Sequence, residues 1–260
     1  MSNPTRESLA QKDIEAGLKA LGMTGGMAVE VHSSMSKLGF VEGGAPAVIR
    51  ALMAVVGEGG AIVMSAYRVT PVLPLTEEEK RIGITAKVRK FDANADCRSG
   101  MGIIPDTFRK WPGTYLGEGI HRVCAWGHNA RLHSQGYQYL LAVDGWVLLI
   151  GVDIHRCSCM HTAEDKVELP GKIQAYFELP EEIQRQYPQD EWYVEFHAPG
   201  TLTLEDAWGK IQAEAERRGL IRGGRIGQAE CMLFKARPVV GIYEEYLRTD
   251  PFRLFGVDER

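Results

Sequence analysis

A strand–helix–strand pattern near the start of the chain is the strongest constraint on its fold. Residues Met27–His32 alternate apolar and polar side chains and include β-branched valines, which predicts a strand. A Ser/Gly-rich turn leads to Pro46, near the start of a segment whose apolar residues have helical spacing, Val48, Ala51, Leu52 and Val55. Ala61–Met64 then predicts a second strand. Such a βαβ unit pairs its strands in parallel through a right-handed crossover, and therefore predicts an α/β protein.

The rest of the chain extends this pattern. Further helices and strands are predicted at 6–22, Ile103–Trp111, Val123–Trp126, Trp146–Val152, Leu204–Ala215, 221–236 (a hairpin) and 239–248. The segment 69–98 has no clear period and is interpreted as a surface excursion, a variable substrate or lid segment. The stretch 170–200 gives no assignment. Since no repeat or Pro/Ser-rich linker divides the chain, we expect one domain over 1–260, a layered α/β/α sandwich around a mixed, partly parallel sheet.

Charge and composition exclude several classes of protein. The chain has 30 Lys and Arg against 34 Asp and Glu, a net charge of −4, with no basic stripe, which argues against a nucleic-acid partner. Its apolar runs are far shorter than the roughly 18 residues that span a bilayer, so no membrane association is expected. The first residues lack the apolar region of a secretory signal. Five cysteines without a framework spacing fit a reducing compartment, so we expect a cytoplasmic protein. The sequence leaves open whether the protein forms a homodimer.

Familiar catalytic motifs are missing, but a loop after the first long strand has the features of an anion site. The sequence contains no G-x-S-x-G, H-E-x-x-H or Walker A motif. Residues His32–Gly39 are rich in serine and precede a helix, so backbone N–H groups there could meet a phosphate. A plain turn with serine capping is the alternative, and the loop alone does not decide between them.

The run His155–Glu164 admits two interpretations. If the run is extended, His155, Cys157, Cys159 and His161 share one face, and they are zinc-type ligands. Four ligands in a row would spread over about 20 Å, at about 3.3 Å per residue, and would need a sharp turn to converge. Alternatively, a helix starting at His161 places Glu164 beside it, and a histidine with a carboxylate neighbour is a general base. A structural histidine is the third alternative.

Seven stretches of the sequence together resemble a known family. They are Val31–Ser34, Gly43–Ala45, Met101–Arg109, Ala125–Gly127, Asp144–Val152, His161–Glu164 and Arg225–Cys231. Their order and spacing are similar to those of the aminoglycoside 3-N-acetyltransferases, the antibiotic N-acetyltransferase group that is distinct from the GNAT fold. The GNAT phosphate signature [QR]-x-x-G-x-[GA] is absent, which agrees with this resemblance.

The resemblance implies direct transfer of an acetyl group from acetyl-CoA to an amine, with the 3-amino group of an aminoglycoside antibiotic as the acceptor. His161 would be the general base and Glu164 its partner. The acetyl-CoA contacts would come from Ser33, Ser34, Ser36, Lys37, Gly39, His121 and Arg122. Acidic groups should bind the cationic amine, and the implied residues are Asp92, Asp96 and Glu164. No metal cofactor is implied.

The chain also departs from the family pattern at two places. Glu118-Gly119 stands where the family has a His-Pro pair, and the loop Leu132–Gly136 is shorter than the family's acidic active-site loop and lacks its carboxylate. A coenzyme A-binding protein with another amine substrate, or without catalysis, is therefore the alternative function. A metal-stabilised protein built on the 155–161 ligands is a third.

Overall fold

The computed structural model describes residues 8–92 and 95–259. Its strands are β1 Ser8–Leu9, β2 Ala28–Ser33, β3 Phe40–Val41, β4 Ala61–Ser65, β5 Ile84–Arg89, β6 Tyr115–Leu116, β7 Val123–Gly127, β8 Trp146–Ile150, β9 Trp192–Phe196, β10 Ile221–Ile226 and β11 Ala229–Lys235. Its helices are α1 Gln11–Leu21, α2 Met35–Leu38, α3 Gly44–Val56, α4 Glu77–Arg81, α5 Ile103–Phe108, α6 Ala130–His133, α7 Gln138–Ala142, α8 His161–Glu164, α9 Gly171–Phe177, α10 Glu181–Gln186, α11 Leu204–Arg217, α12 Ala236–Thr249 and α13 Pro251–Phe255. The predicted helix start at residue 6 lies outside the described residues.

The main sheet has seven strands in the order β10-β11-β8-β2-β4-β7-β6. Strand β2 pairs in parallel with both β4 and β8, which confirms the βαβ prediction, and the remaining pairs are antiparallel. The predicted hairpin at 221–236 is the β10–β11 pair. Strand β8 is buried on both faces, as its apolar sequence indicates, because it lies between two other strands and beneath two helix layers.

Helices cover both faces of this sheet, which gives the three-layer α/β/α sandwich expected from the sequence. On one face, residues such as Val29 and Leu148 pack against α1, α3 and α5. On the other face, residues such as Val63 and Leu149 pack against α7, α8, α11 and α12. Successive strand residues alternate between the two cores because strand side chains alternate in direction. Gly17, an unfavourable residue inside α1, is explained by packing, since a Cβ there would lie 2.9 Å from Ile226.

The two stretches that the sequence left without elements pair with each other. Strand β5, from the 69–98 segment, forms an antiparallel two-stranded sheet with β9, from the 170–200 stretch. A small third core of Ile84, Ile183 and Tyr187 supports this sheet. The segment 69–98 therefore contains a helix and a strand, and the prediction of an irregular excursion was wrong for that part; residues 93–94 lie outside the description. Within the described ranges, none of the helices has the length and hydrophobicity needed to cross a bilayer.

Candidate active site

The candidate site lies at the edge of the main sheet where the parallel strands end. Ser33 ends β2, Ser65 ends β4 and Ile150 ends β8, and the register brings these ends together. Strand β7 runs the opposite way and starts at this edge, with Val123 opposite Ser65. Ligands in open α/β sheets bind outside the carboxyl ends of the strands, so this edge is where catalytic residues are expected.

His161 and Glu164 form a hydrogen-bonded pair just beyond β8. Two short 3-10 turns, Ile154–Arg156 and Ser158–Met160, lead into the four-residue helix α8, so the extended form considered from the sequence is wrong. Nδ1 of His161 lies 2.9 Å from Oε2 of Glu164, at the i, i+3 spacing predicted for a helix. The other carboxylate oxygen accepts a 2.9 Å hydrogen bond from the hydroxyl of Tyr243. Both oxygens are thereby fixed in position.

This pairing sets the chemistry of the imidazole. A carboxylate only accepts hydrogen bonds, so Nδ1 of His161 carries the proton and Nε2 is left with its lone pair. Burial opposes the protonated ring, but the hydrogen bond and the charge of Glu164, with smaller contributions from Glu195 and Asp165, outweigh it and raise the pKa of His161. The side chain is 49% exposed, so its free nitrogen is accessible to a substrate. A histidine held in this way is suited to general-base chemistry.

Aromatic rings surround this base. The ring of Trp208 contacts His161 edge-on at 4.8 Å between centroids. The ring of His121 contacts that of Tyr67 at a tilt, with 4.9 Å between centroids, and that of Tyr193 edge-on at 5.3 Å. Burial, together with the charges of His161 and Lys90, lowers the pKa of His121, so this ring is neutral near pH 7. The site therefore combines His161, whose pKa is raised, with His121, whose pKa is lowered.

A buried polar cluster supports the aromatic residues from below. The hydroxyl of Ser65 lies 2.6 Å from that of Tyr137 and 2.9 Å from that of Ser158. Tyr67 lies close to both serines, and burial raises its pKa. Sequence reasoning missed Ser65, Tyr67 and Ser158. The position of Ser65 at the end of a fully buried strand is a signal that could have found it.

Strand β9 contributes a second set of residues that the sequence did not indicate. Tyr193 and Glu195 are exposed on the same face of this strand, because residues two apart in a strand point the same way. Although part of the Tyr193 side chain is open to solvent, desolvation by its neighbours and then the charge of Glu195 raise its pKa to about 12. Since Tyr193 contacts His121 and Glu195 acts on His161, the small sheet borders the site.

The residues predicted to bind the cofactor fall into two groups. The first group lies at the end of β2 and directly after it, and consists of Ser33, Ser34, Ser36, Lys37 and Gly39. The hydroxyls of Ser34 and Ser36 lie 3.1 Å apart, and Gly39 has φ +89°. The hydroxyl of Ser33 is buried, with no hydrogen-bond partner among the described residues.

The second group, His121 and Arg122, directly precedes β7. Strand β7 is two strands away from β2 in the sheet, and therefore about 10 Å from it. Arg122 is 5% exposed, and its Nε donates to the carbonyl of Ala66 at 3.0 Å. This contact ties the end of β4 to β7. The cofactor role of both residues stays a prediction from the resemblance.

The acidic residues predicted to bind the substrate differ in their surroundings. Asp92 is exposed and follows Phe91, whose carbonyl accepts a 3.3 Å hydrogen bond from Arg68. Arg68 also donates to the carbonyl of Gly119 at 2.9 Å, so the loop carrying Asp92 is held beside the loop that precedes His121. Asp96 is exposed and forms an ion pair with Lys110, which offsets its charge.

The loop Leu132–Gly136 runs between the two edges of the main sheet. It starts near the amino ends of the parallel strands, because β7 ends opposite the start of β4. His133 lines a groove of about 300 Å³ there with His128 and Lys235.

Further along the loop, the carbonyl of Ser134 lies against Gly117, whose N–H donates to Val123 at the start of β7. Tyr137, directly after the loop, bonds to Ser65 at the carboxyl edge. The loop therefore ends near the site, and the loss of the family's carboxylate from it stays a prediction.

The four-ligand metal site considered from the sequence is also wrong. His155 pairs with Asp153, with 2.9 Å between Nδ1 and the carboxylate, and His161 pairs with Glu164. Cys157 and Cys159 are fully buried in the core that includes α12, and among the described residues neither histidine groups with them as a metal ligand. The 3-10 turns therefore keep the two cysteine sulfurs together in the core and leave each histidine with a carboxylate of its own.

Comparison with known proteins places this fold and sequence in one group. The family model described as aminoglycoside 3-N-acetyltransferase matches residues 31–248. The SPbeta prophage-derived aminoglycoside N(3')-acetyltransferase-like protein YokD of Bacillus subtilis (strain 168) is 30% identical, with 91% of each chain covered. Aminoglycoside N(3)-acetyltransferase VII of Streptomyces paromomycinus is 28% identical over 86% of each. A solved structure described as AAC-IIIb binary with CoASH superposes with a TM-score of 0.69 at 22% identity, covering 98% of this chain and 100% of that one.

Proposed function

The chain belongs to the aminoglycoside 3-N-acetyltransferase family, and on that premise we propose that it transfers the acetyl group of acetyl-CoA to an amine, the 3-amino group of an aminoglycoside. The hydrogen-bonded pair of His161 and Glu164 at the carboxyl edge of the sheet is the observation that carries this proposal. An exposed imidazole with a raised pKa and a fixed tautomer is what deprotonation of an attacking amine requires.

His161 acts as the base in a single transfer step. Its Nε2 takes a proton from the amine as the amine nitrogen attacks the thioester carbonyl, and Glu164 stabilises the imidazolium that forms. A C–N bond forms, the C–S bond breaks, and the departing sulfur receives the proton from the imidazolium. Cys157 and Cys159 are fully buried, and burial raises the pKa of both thiols, so neither serves as a nucleophile.

The loop after β2 is the proposed contact for acetyl-CoA. Its serine side chains are small, so a ligand can approach the hydroxyls of Ser33, Ser34 and Ser36, the ammonium of Lys37 and the backbone at Gly39. The N–H groups of Ser34 and Lys37 are already bonded to the carbonyls of Ile150 and Ser34. The buried and unpartnered hydroxyl of Ser33 supports a polar ligand at this place. The related protein described as binary with CoASH supports coenzyme A as that ligand. His121 and Arg122 remain the predicted contacts on the β7 side.

Carboxylates are the proposed contacts for the cationic acceptor. Glu164 is 27% exposed beside the base, and Asp92 stands on the neighbouring loop. Asp96 is the third predicted contact, although Lys110 shares its charge. The segment 69–98 holds both aspartates, and we propose that this segment, within a single domain, determines which amine is accepted. The names of the relatives support an aminoglycoside as acceptor.

A thiol-release assay tests the proposal. Purified protein is mixed with acetyl-CoA and a panel of aminoglycosides and simpler amines, and free CoA is measured; acetyl-CoA binding is measured separately by calorimetry. We expect amine-dependent release for the wild type and for His155→Ala, a matched variant of a neighbouring, half-buried histidine that also pairs with a carboxylate. Binding of acetyl-CoA without release for any amine would overturn the catalytic proposal and favour a coenzyme A-binding protein.

A further inference from the structure

A second cluster of reactive side chains lies in the core beneath the candidate active site. Cys157 and Cys159 point inward from the 3-10 turns, with 3.5 Å between their sulfur atoms. The carboxylate of Glu30, from the middle of β2, points into the same space. One ligand atom from each residue lies within 4.8 Å of the other two, and all three residues are 0% exposed.

Glu30 is an unusual residue at its position. Its register neighbours on the two adjacent strands are Val63 and Val147, both fully buried in the same core. Strands in the middle of a covered parallel sheet are normally apolar on both faces. A carboxylate here is costly to bury unless a positive charge or hydrogen bonds compensate it.

One carboxylate oxygen of Glu30 has hydrogen-bond partners, and the other has none among the described residues. Oε1 lies 2.6 Å from Nε2 of His32 and accepts from the backbone N–H of Cys159 at 3.1 Å. Oε2 is buried and has no hydrogen-bond partner within the described part of the chain. This oxygen is free to coordinate an ion in the space it shares with the two sulfur atoms.

We propose that Glu30, Cys157 and Cys159 bind a zinc ion that has a structural role. Two thiolates and a carboxylate are zinc ligands, whereas Mg²⁺ and Ca²⁺ require mostly oxygen ligands. Zn–S bonds of about 2.3 Å in tetrahedral geometry place two sulfurs about 3.8 Å apart, close to the 3.5 Å found here. A water molecule can take the fourth position, and His32 orients the carboxylate from outside the ligand set, as partners of metal ligands commonly do.

Binding changes the protonation of the cluster and fixes the turn that carries the base. Burial raises the pKa of both thiols. Because zinc binds thiolates, its binding would release the two thiol protons to solvent. Ser158 lies between the two cysteines and bonds to Ser65, and His161 follows two residues after Cys159. Zinc would therefore tie this turn to β2.

Metal content tests the proposal directly. The full chain is expressed in zinc-supplemented medium, desalted against a weak chelator, and its zinc is measured by mass spectrometry. We expect about one zinc per chain, background zinc in Cys157→Ser and Cys159→Ser, and wild-type zinc in Cys124→Ser, a buried thiol elsewhere in the core. Background zinc in the wild type, or equal zinc in all the variants, would overturn the proposal.

A cobalt spectrum keeps the test decisive where a cysteine variant does not fold. Wild-type chain produced with cobalt should show sulfur-to-cobalt charge-transfer absorption, because two thiolates coordinate the ion. Bound cobalt without this absorption, or no bound cobalt, would count against the cysteine ligands. Neither readout depends on acetyl transfer, so failure here and failure of the proposed function are distinguishable.

Discussion

Replacing Glu164 with glutamine is the sharpest perturbation of the candidate site. The change keeps the size of the side chain but removes its charge and one of its two acceptors. In the structure both oxygens accept hydrogen bonds, one from His161 and one from the hydroxyl of Tyr243. A glutamine amide offers one acceptor and one donor, so it cannot serve both partners.

The size of the effect follows from the tautomer. When the amide oxygen stays with the buried Tyr243, the amide N–H₂ faces Nδ1 of His161, and the ring proton moves to Nε2. That nitrogen is then no longer able to accept the proton of the amine. Loss of the correct tautomer removes a general-base contribution of about 10²–10⁴ in kcat/KM, or about 2.7–5.4 kcal/mol in the activation barrier.

Steady-state CoA release over a range of pH measures this effect. The matched control is Glu168→Gln, the same change at an exposed position in the same region. We expect the Glu164→Gln variant to lose activity and the control to keep it. A Glu164→Gln enzyme with kcat/KM within about twofold of wild type and an unchanged pH profile would refute the tautomer reasoning.

Three other predictions follow from the same contacts. The base acts in its neutral form and its pKa is raised above the ordinary 6.5, so kcat/KM should fall as pH drops through a value above 6.5; a rising limb centred below 6.5 would contradict the assigned role of His161. Glu79, in its ion pair with Lys87, has a folded pKa of about 2 against 4.5, so its stabilisation is present above pH 4.5 and is lost as pH falls toward 2. Glu79→Gln should lower the free energy of unfolding at pH 7 by about 1.5–3 kcal/mol in urea titrations and flatten that acid dependence. Gly127→Ala should destabilise by about 1–3 kcal/mol, since φ is +97° and a Cβ would lie 2.2 Å from the carbonyl oxygen of Gly60; an unchanged melting curve would argue against this packing.

The sequence predicted the elements whose signals are local. The period of Met27–His32 and of the helix after Pro46 identified the parallel core, and the hairpin at 221–236 followed from its apolar pattern. The spacing of His161 and Glu164 predicted their contact, because residues three apart are neighbours on any helix.

What the sequence did not predict depends on contacts between distant residues. Tyr137 and Ser158 meet through their shared bonds with Ser65, and Tyr193 reaches His121 only because β9 pairs with β5. The loop after β7 is a further case, because Tyr137, which directly follows it, bonds to Ser65 at the end of β4. Contacts of this kind depend on the whole fold, so local patterns do not contain them.

The role of His161 as the base is the central claim, and comparison of the His161→Ala variant with wild type tests it most directly. The measurement is kcat/KM for amine-dependent CoA release, with the Kd for acetyl-CoA determined on the same preparations. The account predicts that kcat/KM falls by about 10²–10⁴ while the Kd is nearly unchanged, because this side chain moves a proton and does not hold the cofactor. Wild-type kcat/KM in the variant would contradict the account.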